Sequence, residues 1–139
     1  MKGHIMQISC GTVLHTKIND VIHYVLIRAD DGYCGFPKGH MESGESERET
    51  ALRETWEETS IRAEIIDGFC DKEEYLIKNE TRKRVIYFIA TYFRQTPMHN
   101  PGFEQRELLV LPYEKAHKAL TFKSAKDILT RANDFLNNI

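Results

Sequence analysis

The apolar positions along the chain switch period several times. Residues 6–15 contain a β-compatible stretch, and 21–28 (VIHYVLIR), rich in β-branched and aromatic side chains, read as a stronger strand. Asp30-Asp31-Gly32 reads as a turn, and residues 33–36 as a short strand entering the loop Pro37-Lys38-Gly39-His40. From 46 to 59 the pattern is helical, with Ser46 and Glu49 spaced as a capping box. Strands follow over 63–69 and 73–77, with a hairpin turn at Lys78-Asn79-Glu80-Thr81. Residues 85–93 (VIYFIATYF) are the most apolar run and are expected at the centre of the sheet. Residues 107–111 add a short strand, Pro112 can open a short helix, and 123–136 predict a C-terminal helix. Strands with helices before and after imply an α/β or α+β sandwich. No repeat or linker divides the 139 residues, a length that suits a single domain over 1–139.

The helix over 46–59 poses an electrostatic problem. Leu52, Thr55, Trp56 and Thr59 fall at i, i+3, i+4 and i+7, the stripe expected to pack on the sheet. Glu54, Glu57 and Glu58 share another face, where like charges at i+3 and i+4 repel. Arg53 is the only basic residue between 52 and 59, so pairing with lysine at i+4 is absent. The acids also stand in the C-terminal half, where the helix dipole disfavours negative charge. A solvated acidic face is the ordinary explanation of such a cluster; a bound cation is the other. Oxygen ligands from close carboxylates suit a hard divalent ion, Mg²⁺ or Mn²⁺, and the alternating ligands of a calcium-binding EF-hand loop are absent. Before the helix, Gly39 and Gly44 allow a loop that can aim a carbonyl at a metal or an amide at a phosphate. Lys38 and His40 flank Gly39 as candidate phosphate contacts.

Composition adds mostly exclusions. Hydrophobic residues make up 41% and charged residues 29%, enough to bury a core. A formal net charge of −2 gives no general attraction to nucleic acid or anionic membrane. The first residues, MKGHIMQISCG, lack the apolar run of a signal peptide, and no segment is long enough to span a bilayer. Cys10, Cys34 and Cys70 show no metal-site spacing and read as reduced core thiols in a cytoplasmic protein.

Gly39, five residues, Glu45, seven residues, Arg53-Glu54, two residues, Glu57-Glu58 resembles the Nudix box, G-x5-E-x7-R-E-U-x-E-E-x-G-U, with U a bulky aliphatic. Thr55 stands at an aliphatic position and Ser60 where the box has glycine, while Ile61 matches the final aliphatic. A glycine there would end the helix in a left-handed conformation, and Ser60 in that conformation costs up to about 1 kcal/mol. The resemblance implies an α/β fold, an α/β/α sandwich with a mixed central sheet, that hydrolyses nucleoside diphosphates linked to another group. It implies Mg²⁺, with Mn²⁺ as a substitute, held by Glu54, Glu57, Glu58 and the Gly39 carbonyl. Arg53 would orient the glutamates. The general base is Glu54, Glu58 or a glutamate outside the box. For the last, Glu104 is favoured as a further metal ligand, with Glu107 as the alternative.

The flanks are similar to one subfamily, the asymmetrical bis(5′-nucleosyl)-tetraphosphatases, which hydrolyse diadenosine tetraphosphate (Ap4A). The similarity rests on Phe36-Pro37-Lys38-Gly39-His40, on Glu49-Thr50-Ala51-Leu52-Arg53-Glu54-Thr55, and on short matches around Gly68-Phe69, Tyr75, Val85-Ile86-Tyr87, Phe122-Lys123 and Phe135-Leu136. It implies that Tyr75 and Phe135 sandwich a purine ring, that Tyr87 lies near phosphate, and that Lys83 contacts the substrate. For Phe135 packing in the core is the equal alternative, since Ile128 and Leu136 share its helix. Lys78, Arg82, Lys83 and Arg84 form a basic hairpin, either a solvated turn or a device that steers an anionic substrate. Other activities within the family remain open at this point: removal of pyrophosphate from RNA 5′ ends, and cleavage of ADP-ribose or of oxidised nucleoside triphosphates. So does a non-catalytic nucleotide-binding module, although such modules usually lose box glutamates.

Overall fold

The computed structural model describes residues 6–77, 81–104 and 106–139. Lys78, Asn79 and Glu80 of the expected hairpin turn lie outside the described residues. The strands are β1 (Met6–Ile18), β2 (Val21–Arg28), β3 (Cys34–Gly35), β4 (Lys38–His40), β5 (Glu64–Ile77), β6 (Thr81–Thr91) and β7 (Glu107–Pro112). The helices are α1 (Glu47–Thr59), α2 (Tyr113–Ala119) and α3 (Lys123–Asn137). Strand β1 is the hub. One edge runs parallel to β6 from Met6↔Arg82 to His15↔Thr91, while the other pairs antiparallel with β4 and then with β2. Strands β5 and β7 pair antiparallel with β6 and β2 respectively. One parallel pair among antiparallel ones makes the expected mixed sheet.

The apolar run predicted for the centre is β6, which lies between β1 and β5. Its residues alternate between two buried faces, as strand pleating requires. Val85, Tyr87 and Ile89 join α2 and α3 residues such as Ala116, Ile128 and Leu129 in the main core. Ile86 and Phe88 face the other way, with Cys10 and Ala51. Helix α1 covers this second face, which completes the α/β/α sandwich. Among the described residues no helix is long and apolar enough to cross a membrane. Cys10 and Cys34 are buried core thiols as expected, but Cys70 is exposed.

Three local expectations change. The loop around Lys38-Gly39-His40 is strand β4, pinned to β1 through Cys10↔Gly39 and Gly11↔Lys38. A Cβ at Gly11 would collide with the Pro37 carbonyl, so the chain comes this close only because residue 11 lacks one. The segments expected at 63–69 and 73–77 are one strand, β5, with a register shift between Ile66 and Cys70 around Gly68. Helix α1 does not pack through Leu52 and Trp56. Its fully buried residues are Thr50, Ala51, Thr55 and Thr59, and Thr55 Oγ1 lies 2.8 Å from Thr12 Oγ1 on β1 while donating to the Ala51 carbonyl. Small side chains let the helix sit close to the sheet, and their hydroxyls satisfy each other.

Trp56 instead holds the segment that leads to β7. The Trp56 carbonyl accepts from Asn100 Nδ2 at 3.0 Å, the Thr59 carbonyl accepts from Met98 N at 2.9 Å, and Phe103 packs edge-on against the indole. Ser60 takes the left-handed conformation that glycine would have, at φ 62°, and its N–H caps the helix on the Trp56 carbonyl. The capping box at Ser46 and Glu49 is formed at both bonds, 3.1 and 2.8 Å.

His15 is 7% exposed and its Nδ1 is buried without a partner. Burial lowers its pKa to about 4. Between about 6.5 and 4 the unfolded chain therefore binds a proton that the folded chain excludes. Stability is expected to fall by on the order of 3 kcal/mol as pH drops through that window. Urea unfolding between pH 7 and 4 should show a smaller loss in His15→Leu than in the parent.

Candidate functional site

Arg53 is the organising cation. Its Nε and Nη2 fork onto Glu45 at 2.6 and 3.0 Å. Nη1 donates to Glu54 at 2.9 Å and to Glu57 at 3.0 Å, and Nη2 also donates to the His40 carbonyl at 2.9 Å. Every N–H of the guanidinium thus has an acceptor. The pairing at i+4 that lysine does not provide is made by Arg53 with Glu57. Arg53 holds the Glu45 carboxyl down to about 2, and the carboxylates hold Arg53 well above its ordinary value. Glu45 had no assigned role beyond its place in the sequence pattern; Thr50 Oγ1 and the Glu42 N–H hold it from the other side.

Glu54 lies against the backbone of β4, where a Cβ at Gly39 would fall inside its carboxylate. Burial raises its pKa. Glu58 points elsewhere. Its Oε1 accepts from the Lys38 N–H at 2.9 Å, its Oε2 lies 3.5 Å from Arg106, and burial pushes it up to about 7. The three glutamates therefore do not converge as the helical wheel suggests; among the described residues no group of three acidic, His or Cys side chains encloses a metal point. Arg53 and the Lys38 N–H draw them in different directions. The donor chemistry still fits a hard divalent cation. All donors are oxygens, Glu54 and Glu58 resist ionisation where they stand, and only a glycine at 39 leaves room for Glu54 beside its backbone.

The remaining candidates separate into those at the cavity and those away from it. A cavity of about 520 Å³ reaches from Glu58, Lys38 and Arg106 past Glu73 and Tyr87 to the exposed aromatics Tyr75, Tyr33 and Phe122. Tyr87 is buried and packs edge-on against Phe36 at 5.2 Å. Tyr75 faces Lys83 across the β5–β6 ladder. Phe135 is not part of this wall. It packs on Phe69 and over Gly68 at the edge of the main core, because the irregularity in β5 opens a seat for its ring there. Tyr33 and Phe122, stacked at 5.2 Å, stand at the cavity instead. Phe122 was visible in the sequence only as a short match; Tyr33 and Glu73 gave no signal, since only the sheet brings them together.

The basic hairpin also divides. Alternation along β6 sends Arg82 and Arg84 to Glu74, at 3.8 and 2.6 Å, which also meets Lys72. Lys83 goes to the opposite face. There burial and then Lys38 lower its pKa, and burial followed by Lys83 and Lys38 lowers that of His40. Lys38 and Lys83 are thus mutually repelling cations, and they and burial keep the His40 imidazole from gaining a proton beside them, an arrangement that a polyanion would relieve. Glu104 is exposed and pairs with Arg106 at 3.0 Å, while Glu107 pairs with Arg28 on β2. Of the two, only Glu104 is linked to Glu58, through their shared arginine.

A family model described as the NUDIX domain matches residues 15–132. The mouse asymmetrical bis(5'-nucleosyl)-tetraphosphatase (Mus musculus) is 36% identical over 139 aligned positions, covering 92% of this chain and 94% of that protein. The pig enzyme of the same name (Sus scrofa) gives the same identity and coverage. A crystal structure of a C. elegans Ap4A hydrolase binary complex superposes with a TM-score of 0.87 at 24% identity, covering 96% of this chain and 99% of that one, which shows the shared fold.

Two measurements test the geometry. Gly39→Ala should leave the fold intact, because the clash falls on the end of a flexible side chain. It should displace Glu54 and weaken Mn²⁺ binding by an order of magnitude or more in calorimetry. If Glu58 is a ligand, a bound cation has to displace its proton, and affinity for Mn²⁺ should then fall about tenfold per unit as pH drops below about 7. Glu58→Gln should remove that slope.

Proposed function

The chain belongs to the NUDIX domain family, and from that premise we propose that it hydrolyses phosphoanhydride bonds in dinucleoside polyphosphates, cutting Ap4A to ATP and AMP. The observation that carries this reading is the continuity of the cavity, which joins Glu58, the member of the acidic cluster that lines it, to a wall of exposed aromatic rings. A divalent cation, Mg²⁺ in our reading, held by Glu54, Glu57, Glu58, the Gly39 carbonyl and Glu104, supplies charge neutralisation of the polyphosphate and a more acidic attacking water. The names of the mouse and pig relatives support the same substrate class.

The chain's own residues divide the work. Lys38, His40 and Lys83 receive the phosphate chain, which relieves the repulsion between the two lysines. Tyr75, Phe122 and Tyr33 present faces on which a nucleobase stacks, a contribution of about 1–3 kcal/mol per base with little discrimination among bases. Tyr87 closes the floor and keeps bulk water from the anhydride. Arg53 holds Glu54 and Glu57 in place through Glu45 and the His40 carbonyl, so the carboxylates need not reorganise during the reaction. Glu54 or Glu58 takes the proton of the attacking water.

With Ap4A and Mg²⁺, the parent is expected to release ATP and AMP, and Glu57→Gln to lose at least 100-fold in kcat, on the order expected for a lost metal ligand. Phe122→Ala and Tyr75→Ala should raise KM about 5- to 150-fold with kcat nearly unchanged, matching the stacking energy above. Higher catalytic efficiency on 5′-triphosphate RNA, ADP-ribose or an oxidised nucleoside triphosphate would overturn the substrate assignment.

A further inference from the structure

Arg106 differs from Arg53 in how it is held. Its Nη2 donates to Glu104 at 3.0 Å and its Nη1 lies 3.5 Å from Glu58, an ion-pair contact without a close hydrogen bond. Arg53 is forked and saturated at 2.6–3.0 Å. Arg106 is over one-third exposed against 22% for Arg53, and it lines the cavity alongside Lys38. Glu58 Oε1 is fixed by the Lys38 N–H, so Oε2 is the oxygen left for a cation, and Arg106 is the cation nearest it. Glu104 is the other carboxylate at the same guanidinium, so one positive charge joins two candidate metal ligands from separate segments.

We propose that Arg106 competes with the divalent cation for Glu58 and Glu104 and, once displaced, pairs with the phosphate chain of the substrate. The inference rests on the function proposed above. Each Arg106 contact is single; the one with exposed Glu104 is lost at little cost, and at the mostly buried Glu58 an incoming cation would replace the charge that Arg106 withdraws. The planar guanidinium fits phosphate oxygens in a two-point grip that ammonium groups do not make. Displacement by the cation leaves Arg106 uncompensated in a cavity already bearing Lys38. Its next partner is therefore an anion, and the substrate brings one. Arg106 is in this sense a specificity residue: it couples occupation of the acidic centre to affinity for a long, highly charged phosphate chain.

Two readouts that move in opposite directions test this. In calorimetry of Mn²⁺ binding without nucleotide, Arg106→Gln should bind about 3- to 10-fold more tightly than the parent, because the competing charge is gone. In Ap4A hydrolysis the same variant should show a KM raised about fivefold or more with kcat within about twofold, as lost ground-state phosphate binding requires. Arg106→Lys should fall between in both. A purely structural role would weaken metal and substrate binding together. Equal or weaker Mn²⁺ binding by Arg106→Gln, or an unchanged KM, overturns the proposal. A parent inactive on Ap4A refutes the function proposed above, and the calorimetric comparison then decides the competition by itself.

Discussion

The guanidinium of Arg53 is the interaction on which the site depends. Without it α1 would carry three like charges near its C-terminal end, with the helix dipole adding to their repulsion. With it, Glu54 and Glu57 share one cation, and that cation is anchored outside the helix by Glu45 and the His40 carbonyl. The same five bonds tie the loop before α1, strand β4 and the helix face into one unit. Deleting Arg53 would therefore loosen the loop and leave partly buried carboxylates facing each other.

That unit holds its shape because it is pressed against the sheet with little bulk between. Gly11 lets Pro37 and β4 approach β1, and Gly39 lets Glu54 approach β4. Ala51, Thr55 and Thr59 let α1 approach β1, and the Thr12–Thr55 hydroxyl pair satisfies the polar atoms this buries. Larger side chains on the buried face would lift the helix and move Glu54 and Glu58 with it. Trp56, freed from the sheet contact, becomes the post to which the segment bearing Glu104 and Arg106 is tied.

The cavity combines charge with flat apolar surface. Glu58, Arg106, Lys38 and Glu73 line it together with the exposed rings of Tyr75, Tyr33 and Phe122, and Lys83 and His40 feel the charge of Lys38 beside it. An elongated ligand with a charged centre and flat ends matches that lining. Burial raises the pKa of Glu54 and Glu58 and lowers that of Lys83 and His40, so each sign of charge is strained where it stands. A cation beside the acids and an anion beside the bases would relieve both.

The sequence by itself determined what depends on local spacing. The capping box at Ser46, the helix behind it, the apolar central strand and the Gly39–Ile61 pattern with its acids and arginine were legible because period and register along one segment are properties of that segment. The sequence marked Ser60 as a departure from glycine at the helix end, and the structure decided that it takes the left-handed conformation all the same. Tertiary structure decided whatever depends on which segments meet. It split the three glutamates between different donors, split the basic hairpin between two faces of β6, and turned the Lys38–His40 loop into a strand. It seated Phe135 on Phe69 at the edge of the main core, brought Tyr33 and Phe122 to the cavity, and set Arg106 between Glu58 and Glu104. Those pairings join residues as far apart as Tyr33 and Phe122, through a sheet whose order follows from burying both faces of β6, and no periodicity along the chain records them.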